Sequence, residues 1–63
     1  MSHKYILKWI DADEQKHEDR FITSYDRSRF VVKQQIDHNF IGGDLLVSSG
    51  GHIKLQYHIG DYL

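Results

Sequence analysis

The sequence contains no cysteine and no proline. Without cysteine, the chain has neither a disulfide to stabilise a small fold nor a thiolate site for a structural zinc ion. It also lacks an apolar run of the ~20 residues that a membrane-spanning helix needs, and its N-terminus shows no signal-peptide pattern. A cytoplasmic location is therefore expected, although the absence of cysteine does not by itself establish it.

An excess of charge of one sign is also missing. Eight Lys and Arg residues stand against nine Asp and Glu residues, for a formal net charge of −1. Nucleic-acid binders usually carry a clear basic excess, so this balance disfavours nucleic acid as a general partner.

Sixty-three residues, of which 40% are apolar, predict a single small domain over residues 1–63. A core of this size leaves a monomer only marginally stable, since small domains bury a smaller fraction of their surface. Self-association into a homodimer is one way for such a chain to gain stability.

The clearest pattern is the unbroken alternation from His52 to Ile59. Successive side chains of a strand point to opposite faces, so this segment predicts a strand with one wet face and one covered face. With the apolar residues that precede it, the pattern predicts a β-hairpin over residues 44–59. The side chains expected on its covered face are Ile53, Leu55, Tyr57 and Ile59.

The loop of this hairpin sets its register. A two-residue turn on Gly50–Gly51 would place Leu46 opposite Leu55. A three-residue loop, Ser49–Gly51, would instead bring the largest number of apolar pairs onto one face. A slip of one residue flips every side chain, so we predict the three-residue loop, with its final glycine in the left-handed conformation.

The first half of the chain predicts two further strands. Large apolar side chains alternate on both faces of residues 4–10, which is typical of a central strand. Residues 11–19 are polar and highly charged, with no apolar side chain beyond Ala12, and are predicted to form an exposed loop. Residues 20–23 then return as the second, antiparallel strand.

Residues 25–38 fit a helix better than a strand. Thr23 or Ser24 can cap a helix, and Asp26 falls in its first turn, where a carboxylate favours the helix dipole. Asn39 is a plausible left-handed residue at the C-terminal end. On this helix one stripe would hold Tyr25, Val32, Ile36 and Phe40, with Arg29 inside it.

The predicted order is β-β-α-β-β, an α+β fold. Its four strands form a mainly antiparallel sheet, and the helix packs on one face of the sheet. If residues 25–38 were instead a strand, the alternative is a five-stranded small β-barrel.

The histidines do not predict a metal site. His52 and His58 share a face but lie roughly 20 Å apart along a strand, too far to bind one ion. His3 could join His58 only if the first and last strands were neighbours. The acidic loop begins like a calcium loop, yet Lys16 stands where the turn glycine belongs and Ile22 where the bidentate glutamate belongs. We therefore expect no metal and no cofactor.

Catalytic patterns are likewise missing from the sequence. No serine lies in a nucleophile-elbow glycine pattern. A domain of this size also leaves little room for a pocket of the usual ~300 Å³ or more. The chain is predicted not to be an enzyme.

The predicted sheet leaves one face without a helix, and apolar side chains on such a face are typical of a docking surface. The expected protein-interface residues are Ile6, Ile10, Ile22 and Leu46, with Lys8 and Lys54 at the rim. We therefore predict a small protein-interaction module that regulates or inhibits a larger protein and that also has the option of forming a homodimer. The alternative is a single-stranded nucleic-acid-binding domain that uses sheet aromatics with Lys and Arg.

Overall fold

The computed structural model describes residues 3–60; residues 1–2 and 61–63 of the predicted domain lie outside this range. Five elements follow one another: β1 (Tyr5–Asp11), β2 (Lys16–Phe21), α1 (Ser24–Ile36), β3 (Phe40–Ser49) and β4 (His52–Gly60). The strands form one antiparallel sheet in the order β2-β1-β3-β4. The α+β prediction is confirmed. The barrel alternative is wrong, because residues 24–36 are helical and the sheet stays open.

Strand β1 lies inside the sheet, as its two apolar faces predicted. Leu7 and Trp9 face the helix and form the buried core with Val31 and Leu45. Phe21, Phe30, Phe40 and Ile59 pack around this core. The indole of Trp9 stacks on the rings of His17 and Phe40, with centroid separations of 4.5 and 5.7 Å. One indole therefore joins β1 to both of its neighbouring strands.

Strand β2 begins at Lys16, so the loop predicted over residues 11–19 covers only residues 12–15 and the strand predicted over residues 20–23 is displaced. Two polar side chains of β2 lie on the helix side of the sheet, and both contact Trp9. His17 stacks on Trp9, and Asp19 accepts a hydrogen bond of 2.8 Å from the indole Nε1. Because β2 is an edge strand, its other charged side chains reach water.

Helix α1 begins after Thr23, whose hydroxyl accepts a hydrogen bond of 3.1 Å from the backbone N–H of Asp26. The predicted cap is therefore confirmed. The helix ends at Ile36, and His38, not Asn39, takes the left-handed conformation, with φ of 56°. The N–H of Asn39 donates to the carbonyl of Gln34, which is a Schellman arrangement with the left-handed residue one position earlier than predicted.

The β3–β4 hairpin has a two-residue turn, not the predicted three-residue loop. Gly50 and Gly51 have φ of 56° and 84°, and Ser49 pairs with His52 across them. This turn is type I′, whose twist suits a hairpin.

A β-bulge at Gln56 then corrects the register further along β4. Leu46 pairs with Leu55, whereas Leu45 pairs with Tyr57, so Gln56 is the extra residue. The prediction of a three-residue loop assumed that both strands are regular. With the bulge, a two-residue turn is compatible with two apolar pairs, Leu46 with Leu55 and Leu45 with Tyr57.

The close packing of β3 on β1 gives a first prediction. A Cβ atom at Gly43 would lie 2.7 Å from the Cβ of Trp9 and 2.8 Å from the carbonyl oxygen of Lys8. We expect Gly43→Ala to lower the free energy of unfolding by about 1–3 kcal/mol, because the two strands must separate.

Urea unfolding followed by tryptophan fluorescence measures this effect. Gly50→Asn is the matched control, since a Cβ at Gly50 meets no atom within 4 Å and asparagine tolerates positive φ in this turn. Equal unfolding midpoints for the two variants would contradict the packing described here.

Candidate functional site

The structure distributes the six predicted interface residues over different environments. The face of the sheet away from the helix, called here the helix-free face, carries Lys8 exposed and Ile10 and Leu46 half-buried. Ile22 is exposed in the link between β2 and α1. These four residues do not form one continuous surface, because the pair of Lys8 and Asp44 lies between Ile10 and Leu46.

Two of the predicted contact residues are not available on the helix-free face. Ile6 pairs with Leu46 and so lies on this face, but it is 0% exposed and therefore buried. Lys54 pairs with Val47, which pairs with Tyr5, so its side chain lies on the helix side of the sheet. The prediction placed Lys54 beside Leu46 because it lacked the two-residue turn.

A row of paired charged and polar side chains crosses the helix-free face. Lys8 pairs with Glu18 on one side and with Asp44 on the other, and Asp44 pairs with His58. The Nζ of Lys8 lies 4.0 Å from a Glu18 oxygen, and the His58 Nδ1 lies 2.6 Å from an Asp44 oxygen. Opposite charges at directly facing positions stabilise neighbouring strands. This row is therefore explained by sheet pairing, and it limits the apolar part of the face.

The apolar part of the helix-free face lies at β4. Ile53 and Leu55 were predicted to be covered by the helix, but their side chains are 56% and 58% exposed. They lie on the helix-free face beside Leu46 because Leu46 pairs with Leu55 and the turn has two residues. We call the outer edge of β4, together with Leu46, Ile53 and Leu55, the β4 surface.

No helix protects this strand within the described part of the chain. The helix lies against β1, β2 and β3, and no part of its backbone comes close to β4. β4 is also an edge of the sheet, so its outer N–H and C=O groups face away from the ladder with β3. Free edges of this kind pair readily with a further strand.

A second exposed apolar surface lies on the helix. Tyr25, Val32 and Ile36 share a stripe, as predicted, but the stripe faces solvent, with 68%, 51% and 69% exposure. The helix buries Arg27 and Val31 instead. Together with Phe21 and Phe30, the stripe lines a groove of about 650 Å³. This groove is open to solvent and is not an enclosed pocket.

Arg27 is the unexpected residue of the buried helix face, at 3% exposure. Its Nη1 donates to the carbonyl of Leu46 at 2.5 Å, and its Nη2 donates to the Gln56 side chain at 2.7 Å. The guanidinium also lies 5.3 Å from the centre of the Tyr5 ring. Burial lowers the pKa of Arg27 from its ordinary value, yet an arginine stays charged at any physiological pH. Arg27 therefore joins α1 to β3 and β4 while keeping a buried positive charge.

The loop between β1 and β2 is organised by the Asp11 carboxylate. One oxygen accepts hydrogen bonds of 2.9 Å from the backbone N–H groups of Asp13 and Gln15, and the other lies 2.6 Å from Nε2 of His17. The His17 contact is the main reason that the pKa of Asp11 is lowered, with the Gln15 N–H next in importance. Trp9, stacked on His17, links this loop to the core.

The histidines do not gather into a metal site. Within residues 3–60, no group of three or more His, Cys, Asp or Glu side chains is arranged to hold a metal ion. His17 and His58 each lie against one aspartate. The proposed pairing of His3 with His58 lacks its premise, because β3 separates β1 from β4.

The aromatic side chains bear on nucleic-acid stacking. Phe30 of the helix and Phe40 of β3 both pack against the ring of Trp9. Tyr57 lies on the helix side of the sheet and is 65% exposed. An open sheet that stacks several bases needs neighbouring exposed rings, and the described strands do not group their aromatics in that way.

The buried position of Ile6 gives a second prediction. Ile6→Ala is expected to lower the free energy of unfolding by roughly 2–5 kcal/mol, because it removes buried methyl and methylene groups and leaves a cavity. Ile53→Ala is the control, since its side chain is already 56% exposed. Chemical unfolding measures the change in the free energy of unfolding for both variants. An effect of Ile6→Ala as small as that of Ile53→Ala would show that Ile6 is not buried.

The Asp11 carboxylate gives a third prediction. Its pKa in the folded chain is below the ordinary 3.8, so its contribution to stability is present above about that pH and is lost as the pH falls through the lower, folded-state pKa. Asp11→Asn should therefore lower the urea midpoint at neutral pH, and its difference from the wild type should narrow in acid.

Asp13→Asn controls for the loss of a charge in the same loop, since Asp13 is exposed. We expect its urea midpoint to follow that of the wild type at every pH. A constant difference between Asp11→Asn and the wild type down to the lowest pH would show that the charge of Asp11 has no part in the effect.

Comparison with known proteins adds no further constraint on the site. Within residues 3–60, no helix is both long and apolar enough to cross a membrane. The chain matches no protein-family model, no curated protein and no solved structure.

Proposed function

We propose that this chain is a protein-interaction module without catalytic activity, and that it binds its partner through the β4 surface. The observation that carries the proposal is a nine-residue edge strand whose Ile53 and Leu55 side chains are more than half exposed. The proposed role is to regulate or inhibit a larger protein. The proposed setting is the cytoplasm, where the lack of disulfides is ordinary.

The binding mode follows from the position of β4 in the sheet. A partner strand added to a free edge gains backbone hydrogen bonds, while its side chains contact those of the edge strand. On the helix-free face such a strand would cover Ile53 and Leu55 beside Leu46. Covering the exposed half of each side chain is worth about 1 kcal/mol, so the apolar contacts add to the backbone pairing.

The charges of β4 favour a partner with acidic residues. From His52 to Gly60 the sequence has no Asp or Glu, and Lys54 is its one Lys or Arg residue. A strand carrying a carboxylate opposite Lys54 would form an opposite-charge pair. We therefore propose as partner an extended segment in which apolar residues alternate with acidic ones.

A second copy of the chain fits this edge less well. In an antiparallel pairing centred on Lys54, Ile53 of one copy would face Leu55 of the other, which is favourable. Lys54 would then face Lys54 of the second copy, and like charges directly opposite each other destabilise a sheet. The bulge at Gln56 also limits the regular stretch of the edge. The homodimer is therefore the secondary candidate.

The fourth prediction concerns Leu55→Lys. This variant should keep its fold, because Leu55 is 58% exposed, and it should lose at least about tenfold in partner capture, because a charge replaces the central apolar contact. The measurement is affinity capture from the native source with tagged protein, followed by mass spectrometry. Multi-angle light scattering of the purified chain counts its subunits.

Val32→Lys is the matched control, since Val32 is 51% exposed on the helix, away from β4. Capture that survives Val32→Lys and fails with Leu55→Lys supports the β4 surface. The reverse result would place the interface on the helix stripe. Salt-dependent binding of labelled single-stranded oligonucleotides by the wild type would favour the nucleic-acid alternative.

A further inference from the structure

Arg27 has no counter-ion in the described part of the chain. Its two hydrogen bonds go to neutral acceptors, the Leu46 carbonyl and the Gln56 amide. The ion pairs of residues 3–60 involve other side chains. Its Nε–H is buried without any acceptor. A guanidinium has five N–H donors, so most of its donor capacity is unused.

Such an arrangement is uncommon for a buried charge. A charge removed from water is normally paired with an opposite charge or holds one in its functional state. The neutral acceptors here satisfy part of the hydrogen-bonding capacity of Arg27 but none of its charge. The position is therefore suited to a negatively charged group that arrives from outside.

An open groove leads to this position. It lies between α1 and β4, where the helix backbone does not approach the strand, and its volume is about 510 Å³. Arg27 and Gln56 belong to its lining, with Tyr5, Ser24, Ser28 and Tyr57 among the other residues. Four of these lining residues carry hydroxyl groups, which can donate hydrogen bonds to an anion.

Gln56 lines the same groove and accepts a hydrogen bond from Arg27. It is the bulged residue of β4 and is exposed, while its Oε1 accepts from Nη2 of Arg27 at 2.7 Å. The Gln56 amide is a neutral acceptor, whereas a carboxylate adds the opposite charge and pairs with a guanidinium through two parallel hydrogen bonds. An entering carboxylate can therefore replace the Gln56 amide as the acceptor of Arg27, and the amide can turn towards water.

We propose that Arg27 forms the base of a carboxylate-binding site in this groove. A carboxylate has the planar shape of the glutamine amide that it would replace, and two of its oxygens can accept from one guanidinium. The site does not depend on strand docking at the β4 surface, because a small free carboxylate can enter the groove alone. An acidic side chain of a partner strand is the other source of the same group.

Replacing Gln56 by glutamate supplies the proposed ligand within the chain. Gln56→Glu should place a carboxylate at the position of the amide, and it should lower the equilibrium constant of unfolding by about tenfold or more, in favour of the folded state. Lys54→Gln is the control, because it makes the same change in net charge on the same strand. Equal or lower stability of Gln56→Glu relative to Lys54→Gln would overturn the proposal.

Acetate tests the site with an external ligand. In Gln56→Ala the acceptor of Nη2 is removed from an exposed residue, so the fold should persist with an accessible Arg27. Acetate should then raise the melting temperature and shift the NMR signal of the Arg27 Nε–H, compared with chloride at equal ionic strength. Gln56→Glu should not respond. Absence of any response in Gln56→Ala would overturn the site, and a stronger response to phosphate would overturn its assignment to carboxylates.

Two peptides distinguish the sources of the carboxylate. One alternates leucine with glutamate, and the other has glutamine in place of each glutamate. A shift of the Arg27 signal by the first peptide alone supports a partner side chain as the ligand. A response to acetate with neither peptide bound supports a small-molecule site, and it counts against the proposed β4 docking without affecting the carboxylate site.

Discussion

The bulge at Gln56 determines which side chains of β4 lie on each face of the sheet. Before it, Ile53 and Leu55 point away from the helix; after it, Tyr57 and Ile59 point towards the helix side of the sheet. Because of this one inserted residue, Ile59 packs against the core while Ile53 and Leu55 stay exposed on the helix-free face. The bulge also places the Gln56 amide on Arg27, which connects the edge strand to the helix.

The contact between Arg27 and Gln56 also bears on which residues of the helix are buried and which are exposed. Arg27 reaches across the sheet to the Leu46 carbonyl and to Gln56, so the helix must turn this residue inward. Val31 lies one turn further on and joins the core. The stripe of Tyr25, Val32 and Ile36 is consequently left in solvent. A short helix cannot bury two stripes against one sheet, and the polar contacts of Arg27 select which stripe is buried.

Both proposals arise from surfaces that this packing leaves incomplete. Among residues 3–60, nothing covers the apolar β4 surface and no counter-ion pairs with Arg27. Ile53 and Leu55 lie on the helix-free face of β4, and Arg27 of α1 contacts Gln56 of the same strand. A single extended acidic partner along this strand would therefore meet both. The row from Glu18 through Lys8 to Asp44 and His58, by contrast, is already satisfied within the sheet and gives no reason to expect a partner there.

The ends of β1 and the N-terminal cap of α1 were close to their predicted places because each depends on local rules. Alternation on both faces marks a central strand, and the Thr23 hydroxyl needs only the N–H of Asp26. β2 was predicted poorly, since a charged edge strand has no apolar period to reveal it. Its strand conformation depends on pairing with β1 and on the contacts of His17 and Asp19 with Trp9.

The element order and the α+β class can be predicted from the chain alone, because periodicity, capping and glycine turns act over a few residues. Which faces are buried depends on contacts between distant parts of the chain. The bulge at Gln56, the inward position of Arg27 and the burial of Ile6 each depend on residues far apart in the chain. A one-residue change of register reverses the faces of a strand, so no local pattern could have placed the β4 surface or the Arg27 groove.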